Sequence, residues 1–410
     1  MMFKKSILYV LLCLGMFLNL GCLKDKSEVD ISSKNWDEIL KLASGTKVTF
    51  YGWGGDENIN RWIDEVVAKD IKQKYNITLE RVPMLPNEFL PKLLNEKQLG
   101  SEGVIDIVWI NGENFFNAKN QGLLYGPFAY KLPNFNKYVD KNSSDVLYDF
   151  GYPVEGFEAP YGKAQLVLIG DTAKLDYLPK NHKELLEIAK KYPGKITYPD
   201  ASDFTGSAFI RNIIYDVVGY EALKDIKPNK EDVKKAIKPA LDFLVELKPY
   251  LWRQGKAYPS TLAQLDNMFS DGEVYITMNY TPYHVLTKIN EGDFSKTAKA
   301  FIFNKGTISN THFLAIPFNA PNKAGALVVI NHLLSPSIQA QKYNPKTWGD
   351  LPVISSNLLN EEEKKLFENV NLGKEAIPQD VLVKHSIPEM RAELIPIIES
   401  LWREVVLADE

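Results

Sequence analysis

The feature that most constrains the fold is an alternation of short β-rich runs and helical patterns that begins at Lys47. Residues Val48 to Tyr51 favour a strand, a glycine-containing turn follows, and apolar residues from Ile59 to Ile71 then recur at helical spacing. The run from Val104 to Ile110 is nearly unbroken apolar, as a strand covered on both faces requires. Strands that alternate with helices predict a doubly wound α/β sheet.

The same alternation continues to the C-terminus. Further strands are predicted at Ile77–Val82, Leu166–Ile169, Ile196–Tyr198, Val274–Met278, Ala300–Phe303 and Phe313–Ile316. Helices are predicted at His182–Lys191, at Phe209–Val218, in a run that reaches Lys248 after a Pro- and Lys-rich connection at Lys227–Pro239, at Lys323–Leu334 and at Ile387–Leu407. We therefore expect the same α/β architecture throughout the chain.

Composition and charge narrow the class of protein. The chain has 410 residues, of which 45% are hydrophobic and 24% charged, so disordered, collagen-like and coiled-coil classes are excluded. At roughly 150 residues per domain, this length predicts two or three domains. Lys and Arg total 48 against 52 Asp and Glu, a net charge of −4, which gives no electrostatic reason to expect a nucleic-acid partner.

The cysteine distribution excludes several kinds of site at once. There are only two cysteines, Cys13 and Cys22, and no residue beyond position 22 is a cysteine. The body of the chain therefore holds no disulfide scaffold, cysteine-ligated zinc, iron–sulfur cluster or cysteine nucleophile.

The N-terminus has the pattern of a bacterial lipoprotein signal. Lys4 and Lys5 are followed by the apolar run Ile7–Leu20 and by a small residue before Cys22. An uncleaved membrane helix is the alternative, but a span needs about 20 apolar residues and this run is shorter. We expect residues 1–21 to be removed as a signal peptide.

Lipid at Cys22 would anchor the mature protein at the cell envelope, with residues 22–46 as a tether. A protein exported by this route works outside the cytoplasm, either in the periplasm or on the outer face of the cytoplasmic membrane. Nucleotide-driven chemistry is disfavoured there because ATP and NAD(P)H are not supplied.

Catalytic signatures are missing from the sequence. There is no G-x-S-x-G, H-E-x-x-H, P-loop or G-x-G-x-x-G motif. The five histidines are separated without metal-ligand spacing: His182, His284, His312, His332 and His385. We expect no enzyme, no cofactor and no metal site, although a hydrolase triad assembled from distant residues stays open as an alternative.

Candidate ligand-binding residues follow directly on predicted strands, because ligands of open α/β sheets bind beyond the carboxyl ends of strands. Trp53 offers a flat face for stacking, and Gly54 and Gly55 let a backbone approach a ligand. The alternative is a tight turn with Trp53 packed inward. Asn111 and Glu113 come after the buried strand and could hydrogen-bond a ligand, or Asn111 could cap a helix and Glu113 complement its dipole.

Asp203, Thr205, Gly206 and Ser207 stand just before a predicted apolar helix. Exposed N–H groups at a helix start suit an anion or a carboxylate, and the hydroxyls would add hydrogen bonds. Plain helix capping by Asp203 or Thr205 is the alternative.

Asn279 and Tyr280 follow the predicted strand Val274–Met278 in the same manner, and rim packing by Tyr280 is the alternative there. We interpret His312 as a hydrogen-bonded structural histidine. Trp252 and Trp348 are interpreted as packing aromatics rather than as a stacking platform.

Collinear segments of the chain resemble the bacterial ABC-transporter solute-binding proteins, and within them the YnjB-like group. The segments that carry this resemblance are Phe50–Gly55, Trp109–Phe115, Gln121–Pro127, Glu158–Gly162, Asp203–Gly206, Leu251–Lys256 and Thr311–Phe313. Two further stretches, Asp271–Val274 and Ala324–Pro336, are similar to the wider family.

The resemblance implies an α/β, two-lobed periplasmic-binding-protein fold of type II, with doubly wound sheets joined by crossing hinge segments. Lobe 1 would be built from residues 47–160 and 310–410, and lobe 2 from residues 161–309. Pro160–Leu166 would be the first crossing, with Tyr161 in it, and Thr307–Ala315 the return.

The same resemblance implies a function. A small molecule would be captured in the cleft between the lobes, and lobe closure would present it to an ABC permease and its ATPase. We expect a monomer. A surface lipoprotein for adhesion or sensing is the alternative function, with an extracytoplasmic hydrolase behind it.

The ligand class stays open at this point. Trp53, Tyr161 and Tyr280 together with Glu113 and Asp203 favour a small nitrogenous cation, because aromatic faces and carboxylates attract such a charge. An oxyanion held at Thr205–Ser207 is the rival. Ferric iron is disfavoured because the adjacent Tyr-Tyr pair of that subgroup is missing.

Overall fold

The computed structural model describes residues 30–373 and 375–408. The predicted signal peptide and Cys22 lie outside the described residues. The strands are β1 (Lys47–Gly52), β2 (Thr78–Pro83), β3 (Ile107–Ile110), β4 (Leu124–Tyr125), β5 (Tyr148–Asp149), β6 (Tyr152–Pro153), β7 (Glu158–Gln165), β8 (Val167–Asp171), β9 (Ile276–Asn279), β10 (Ala298–Phe301), β11 (Thr307–Pro317) and β12 (Ser386–Pro388).

The helices cover the sheet faces. They are α1 (Trp36–Ala43), α2 (Glu57–Arg61), which continues through the π-helical turn Trp62–Val67 into α3 (Ala68–Tyr75), α4 (Pro86–Leu99), α5 (Glu113–Asn120), α6 (Pro133–Tyr138), α7 (Ser144–Leu147), α8 (His182–Lys191), α9 (Phe204–Val218), α10 (Glu221–Lys224), α11 (Lys230–Leu247), α12 (Leu262–Ser270), α13 (His284–Glu291), α14 (Lys323–Leu333), α15 (Pro336–Tyr343), α16 (Glu361–Glu368), α17 (Gln379–Lys384) and α18 (Ile395–Trp402), which ends in the π-helical turn Arg403–Leu407. Short 3₁₀ turns lie at Ile31–Ser33, Ala129–Lys131, Lys248–Tyr250, Trp252–Gly255, Ser356–Leu358 and Ala392–Leu394.

Two main sheets organise these elements, and β5 and β6 form a separate two-stranded pair. The larger has the strand order β12-β11-β3-β1-β2, with β4 and β7 also paired to β11. Its β1 strand is parallel to β2 and β3, and β11 is antiparallel to β3. The smaller main sheet has the order β10-β8-β9 and is antiparallel throughout. One large buried apolar cluster includes residues of the smaller main sheet and a second includes residues of the larger, and two minor clusters accompany them in the described residues.

Two long strands connect the sheets. β7 and β11 pair antiparallel from Ser309 opposite Gln165 to Ala315 opposite Glu158, with a register shift after His312. β7 passes directly into β8 of the small sheet, and β11 follows β10 from it. The segments predicted as crossings thus lie side by side between the two sheets. This arrangement positions the carboxyl ends of β1 and β3 and the start of α9.

The predicted strand Ile196–Tyr198 is wrong. The segment is extended and buried but belongs to neither sheet. The carbonyl of Ile196 accepts a hydrogen bond from Trp252 N, at 2.8 Å, and that of Lys195 accepts one from Tyr275 N, also at 2.8 Å. Loops rather than a neighbouring strand therefore satisfy its backbone, which apolar pattern alone does not reveal.

Two predicted helix boundaries are also wrong. The connection predicted at Lys227–Pro239 ends early, because the Asn229 side chain caps α11 at its first turn and Pro239 lies inside the helix. The predicted helix Ile387–Leu407 begins only at Ile395. The preceding residues form β12, parallel to the start of β11, and Pro388, which lacks an N–H, ends that strand.

Candidate functional site

The interlobe cleft is the space between the carboxyl ends of β1 and β3 on one side and the start of α9 and the end of β9 on the other. Trp53 stands at its outer edge with 43% of its surface exposed, so its indole is not packed inward. The indole covers Gly55, where an added Cβ would come within 2.6 Å of the ring. The Gly54 carbonyl accepts a hydrogen bond from the Asn60 side chain at 2.9 Å.

An aromatic wall continues inward from Trp53. It consists of Trp53, Trp109, Tyr161, His312 and Trp348. Trp109 makes edge contacts with Trp53, Tyr161 and His312 at ring-centroid distances of 6.5, 5.4 and 5.0 Å. His312 stacks on Trp348 at 5.8 Å. Trp109, which was not predicted as a site residue, is therefore the centre of this wall.

Tyr161 is a fully buried member of the aromatic wall and is not at its surface. Its side chain is 1% exposed, and its hydroxyl has no hydrogen-bond partner among the described residues. Burial raises the pKa of this phenol well above its ordinary value. Tyr161 therefore supports Trp109 and His312 from below.

The loop after β3 presents an unpaired carboxylate. Gly112, with a φ of 60°, is the residue that precedes α5, and no side chain caps that helix. Asn111 thus does not act as the N-cap. Glu113 is the first residue of α5, is half-buried and forms no hydrogen bond with a described residue. Burial raises the pKa of Glu113, the charge of Glu399 raises it further, and Arg211 opposes both.

Asp203 in the opposite lobe is occupied by backbone groups. Its Oδ1 accepts hydrogen bonds from Thr205 N at 2.9 Å and Gly206 N at 3.1 Å, and its Oδ2 accepts one from Leu262 N at 3.1 Å. Gly206 packs against backbone of residues 199 and 200, since a Cβ there would come within 2.3 Å of a carbonyl oxygen. The start of α9 is therefore capped internally, as the capping alternative has it.

A buried polar network lies beneath this helix start. The Arg211 guanidinium donates to both carboxylate oxygens of Glu389, at 3.2 and 3.1 Å, and to Ser207 Oγ at 2.6 Å. Ser207 Oγ donates to Glu399 Oε1 at 2.7 Å, and the Tyr280 hydroxyl donates to Glu389 Oε1 at 2.7 Å. Burial lowers the pKa of Arg211, but Glu389 together with Tyr280 and Tyr215 more than offsets this, and the pKa is raised.

The remaining predicted residue, Asn279, closes a local turn. Its Oδ1 accepts a hydrogen bond from Thr281 N at 2.8 Å. Next to it, Tyr280 lies 5.2 Å from the ring of Phe204, which is 48% exposed and in turn lies 6.5 Å from Phe150. Phe150 follows β5 beside the large sheet, so these rings meet across the cleft.

The geometry separates the predicted residues into two groups. Trp53, Asn111 and Glu113 present groups that a ligand can reach, whereas the hydrogen-bonding groups of Asp203, Ser207 and Tyr280 are already used. Sequence reasoning missed Arg211, Glu389 and Glu399. An arginine inside the apolar run of α9 was the available signal, because such a charge needs a buried partner.

The described residues contain neither a metal-binding cluster nor a membrane-spanning helix. Among residues 30–373 and 375–408, no cluster of three or more His, Cys, Asp or Glu side chains has the geometry to hold a metal ion. In the same residues, every helix is too short or too polar to cross a bilayer.

Known proteins resemble this chain over most of its length. A family model described as bacterial extracellular solute-binding protein matches residues 67–369. The protein YnjB of Escherichia coli (strain K12) is 34% identical over 373 residues, which are 90% of this chain and 93% of that protein.

Solved structures share the architecture at low sequence identity. The periplasmic binding protein AfuA from Actinobacillus pleuropneumoniae superposes with a TM-score of 0.61 at 14% identity, covering 89% of this chain and 100% of that one. The spermidine/putrescine ABC transporter substrate-binding protein PotD from Streptococcus pneumoniae gives a TM-score of 0.59 at 16% identity, with 87% and 99% covered. These similarities extend over most of the chain.

Proposed function

The chain belongs to the bacterial extracellular solute-binding protein family, and from that premise we propose that it captures a small nitrogenous cation between its lobes. The type II periplasmic-binding-protein fold and the solute-binding role in an ABC importer come with the family, as do export and a permease partner. The cation, the contact residues and the lipid anchor are the proposal.

The fold alone does not select the ligand. AfuA is described with fructose-6-phosphate bound, whereas PotD is described as a spermidine/putrescine protein. The choice therefore rests on the side chains of this chain's own cleft.

The unpaired carboxylate of Glu113 is the observation that carries the proposal. It is half-buried at the tip of β3 and has no hydrogen-bond partner among the described residues, while Trp53 exposes an indole on the same side of the cleft. A carboxylate and an aromatic face attract a cation. The oxyanion rival is weaker, because Asp203 already accepts the N–H groups of Thr205 and Gly206.

We assign direct contact to Trp53, Asn111 and Glu113, with Gly54 and Gly55 permitting close approach of the backbone. The other proposed ligand-site residues shape the cleft from behind or from the second lobe: Tyr161, Asp203, Thr205, Gly206, Ser207, Asn279 and Tyr280. Residues 47–160 and 310–410 would move as lobe 1 against residues 161–309 as lobe 2.

The delivery route completes the proposal. Cleavage before Cys22 and lipid on that residue would tether the protein through residues 22–46 beside its permease. Closure of the lobes would mark the loaded state for the permease. The protein would act as a monomer and return its ligand chemically unchanged, so prolonged incubation followed by mass analysis should recover the intact compound; a hydrolysed product would instead indicate an enzyme.

Thermal unfolding with a panel of amines, oxyanions and sugars tests the ligand class. A specific ligand at 100 times its dissociation constant stabilises the fold by about 2.7 kcal/mol. Trp53→Ala and Glu113→Gln should each abolish most of this stabilisation, whereas Glu102→Gln, an exposed loop variant, should retain it. Stabilisation by anions and none by amines would contradict the cation proposal.

A further inference from the structure

A cavity of about 180 Å³ lies beside the connecting strands, and we call it the hinge cavity. Four separate segments line it. Tyr148, Asp149 and Phe150 come from β5 and the turn after it, Tyr220 follows α9, Asn310 is in β11, and Glu389 follows β12. Tyr220 belongs to the second lobe and the others to the first, so the cavity has walls from both.

The lining contains three carboxyl groups and no Lys, Arg or His. Two of the carboxyl groups have a cationic partner outside the lining. Asp145 pairs with Lys163 at 2.9 Å, and Glu389 pairs with Arg211 at 3.1 Å. Asp149 is the one carboxyl of the lining without a cationic partner among the described residues.

Asp149 keeps one oxygen free. Its side chain belongs to a residue that is 2% exposed, and its Oδ2 accepts a hydrogen bond from Gly112 N at 2.6 Å. No described residue donates to its Oδ1. Asn310 also lines the cavity, but its Oδ1 is enclosed by protein atoms. Asp149 Oδ1 is therefore the acceptor at the hinge cavity that a ligand donor can reach.

The charged groups around Asp149 do not supply that donor. Glu158 of β7 and Glu389 are both acidic. Arg391 packs its aliphatic stem against Gly151, but its guanidinium donates to the carbonyl of Ile226. Burial raises the pKa of Asp149 well above its ordinary value, Glu389 adds to this rise, and the Gly112 N–H opposes it.

We infer that the hinge cavity holds one end of the solute, and that this end is a primary ammonium group. The inference rests on the proposed function and adds a second point of contact to Glu113, since Asp149 is the one carboxyl of the lining without a cationic partner among the described residues. An N–H donor of the ammonium meets Asp149 Oδ1, and the rings of Tyr148, Phe150 and Tyr220 surround its carbon atoms.

The backbone at Gly112 links this cavity to the interlobe cleft. Asp149 holds Gly112 N, and Asn111 and Glu113 stand on either side of that glycine. A solute with its ammonium group at Asp149 can thus extend its other end past Glu113. Because an ammonium favours the charged carboxylate, its binding should release a proton from Asp149.

Methylammonium chloride serves as the minimal probe of this site. The full chain is melted in about 100 mM methylammonium chloride, in the same concentration of sodium chloride, and in tetramethylammonium chloride, which has no N–H donor. We expect methylammonium alone to raise the Tm, by about 1 to 2 °C for a weak site.

The matched variants are Asp149→Asn and Asp140→Asn. The first keeps the size of the side chain and its acceptor for Gly112 N but removes the charge, so the methylammonium shift should disappear. The second alters an exposed acid of a nearby loop and should leave the shift intact. Tyr220→Leu removes a ring of the lining and should reduce the shift even where Asp149→Asn folds poorly.

Each outcome decides between the two proposals. An unchanged methylammonium shift in Asp149→Asn, or equal stabilisation by tetramethylammonium, overturns the hinge-cavity assignment. If methylammonium has no effect on the native chain while another solute of the panel stabilises it and is weakened by Trp53→Ala, the interlobe site stands and this assignment fails. Proton release, measured by calorimetry in buffers of different ionisation enthalpy, should accompany binding in the native chain and vanish in Asp149→Asn.

Discussion

Buried carboxyl groups of the described chain differ in whether they have a cationic partner. Asp350 and Glu389 are each paired with a buried cation, Lys342 at 2.8 Å and Arg211 at 3.1 Å. Asp149 and Glu158 are equally buried but have no cationic partner in ion-pair contact among the described residues. Burial of a lone charge is far more costly than burial of a pair, so paired and unpaired carboxyl groups have different roles.

The paired groups connect separate segments of the chain. Lys342 donates to the carbonyl of Tyr161 in β7 as well as to Asp350. Gly162 beside it leaves no room for a side chain, since a Cβ would overlap both partners of the pair. Glu389 in turn ties the C-terminal segment to α9. The unpaired Asp149 lies instead next to Gly112 at the tip of β3, where a ligand cation can supply the missing charge.

The largest effect should come from breaking the Arg211–Glu389 pair. Arg211→Met leaves a buried carboxylate without its partner and should lower the free energy of unfolding by about 3 to 5 kcal/mol, as measured by urea denaturation. The double variant Arg211→Met/Glu389→Gln removes the stranded charge and should recover most of the loss. If Arg211→Met lowers the free energy of unfolding by less than about 1 kcal/mol, the pair does not hold the C-terminal segment to α9.

Lys342→Met should cost about 3 kcal/mol for the same reason, since it strands Asp350. His312 Nε2 lies 3.3 Å from Asp350 Oδ1 and stays beside the stranded carboxylate. The control is Lys346→Met on the exposed loop nearby, which should change stability by less than about 0.5 kcal/mol. Equal losses of stability in the two variants would show that the buried Lys342–Asp350 pair stabilises the fold no more than an exposed lysine does.

Glu158→Gln tests the buried carboxyl groups that have no cationic partner. Burial, and then the charge of Asp149, raises the pKa of Glu158 well above its ordinary value. A carboxyl group whose pKa is raised by folding makes its full contribution to the free energy of unfolding below its unfolded pKa of about 4.3. That contribution is lost as the pH rises toward the folded pKa.

In this range Glu158 should therefore lower the free energy of unfolding of the native chain by about 1.4 kcal/mol per pH unit. Glu158→Gln should not show this dependence. Urea denaturation of both proteins at several pH values measures the difference. The slope of that difference with pH is the test, because the amide has its own packing cost that does not vary with pH. A difference independent of pH would mean that Glu158 is ionised in the folded chain.

The smallest expected effect concerns an acid satisfied by backbone groups rather than by a cation. Asp203→Ala removes the acceptor of three N–H groups and should lower the free energy of unfolding by about 1 to 2 kcal/mol. Methylammonium binding should be unaffected by this variant once its lower Tm is taken as the baseline. Loss of solute binding without loss of stability would instead place Asp203 in direct contact with the ligand.

Local patterns predicted most of the fold, and they placed several residues of the candidate site at the ends of strands and the starts of helices. The strands and helices around Trp53, Asn111 and Asp203 follow from apolar spacing, which is a local property of the chain. The predicted strand Ile196–Tyr198 failed because a buried extended segment and a paired strand have the same apolar pattern.

The chemistry of the cleft was harder to predict, because it depends on whether an acid is the residue before a helix or the first residue in it. Asp203 precedes α9 and reaches back to the N–H groups of Thr205 and Gly206, whereas Glu113 is already the first residue of α5 and points away from them. The hinge cavity could not be predicted at all. Its residues come from four segments that only the pairing of β11 with β7 and β12 brings together.

The most direct test of the account is the mass of the compound that the protein itself retains. Protein purified without denaturation is unfolded in acid, and the released small molecules are identified by mass spectrometry. The account predicts a compact nitrogenous cation with a primary amine, present at close to one molecule per chain. Release of an oxyanion or a neutral sugar in that amount would contradict it.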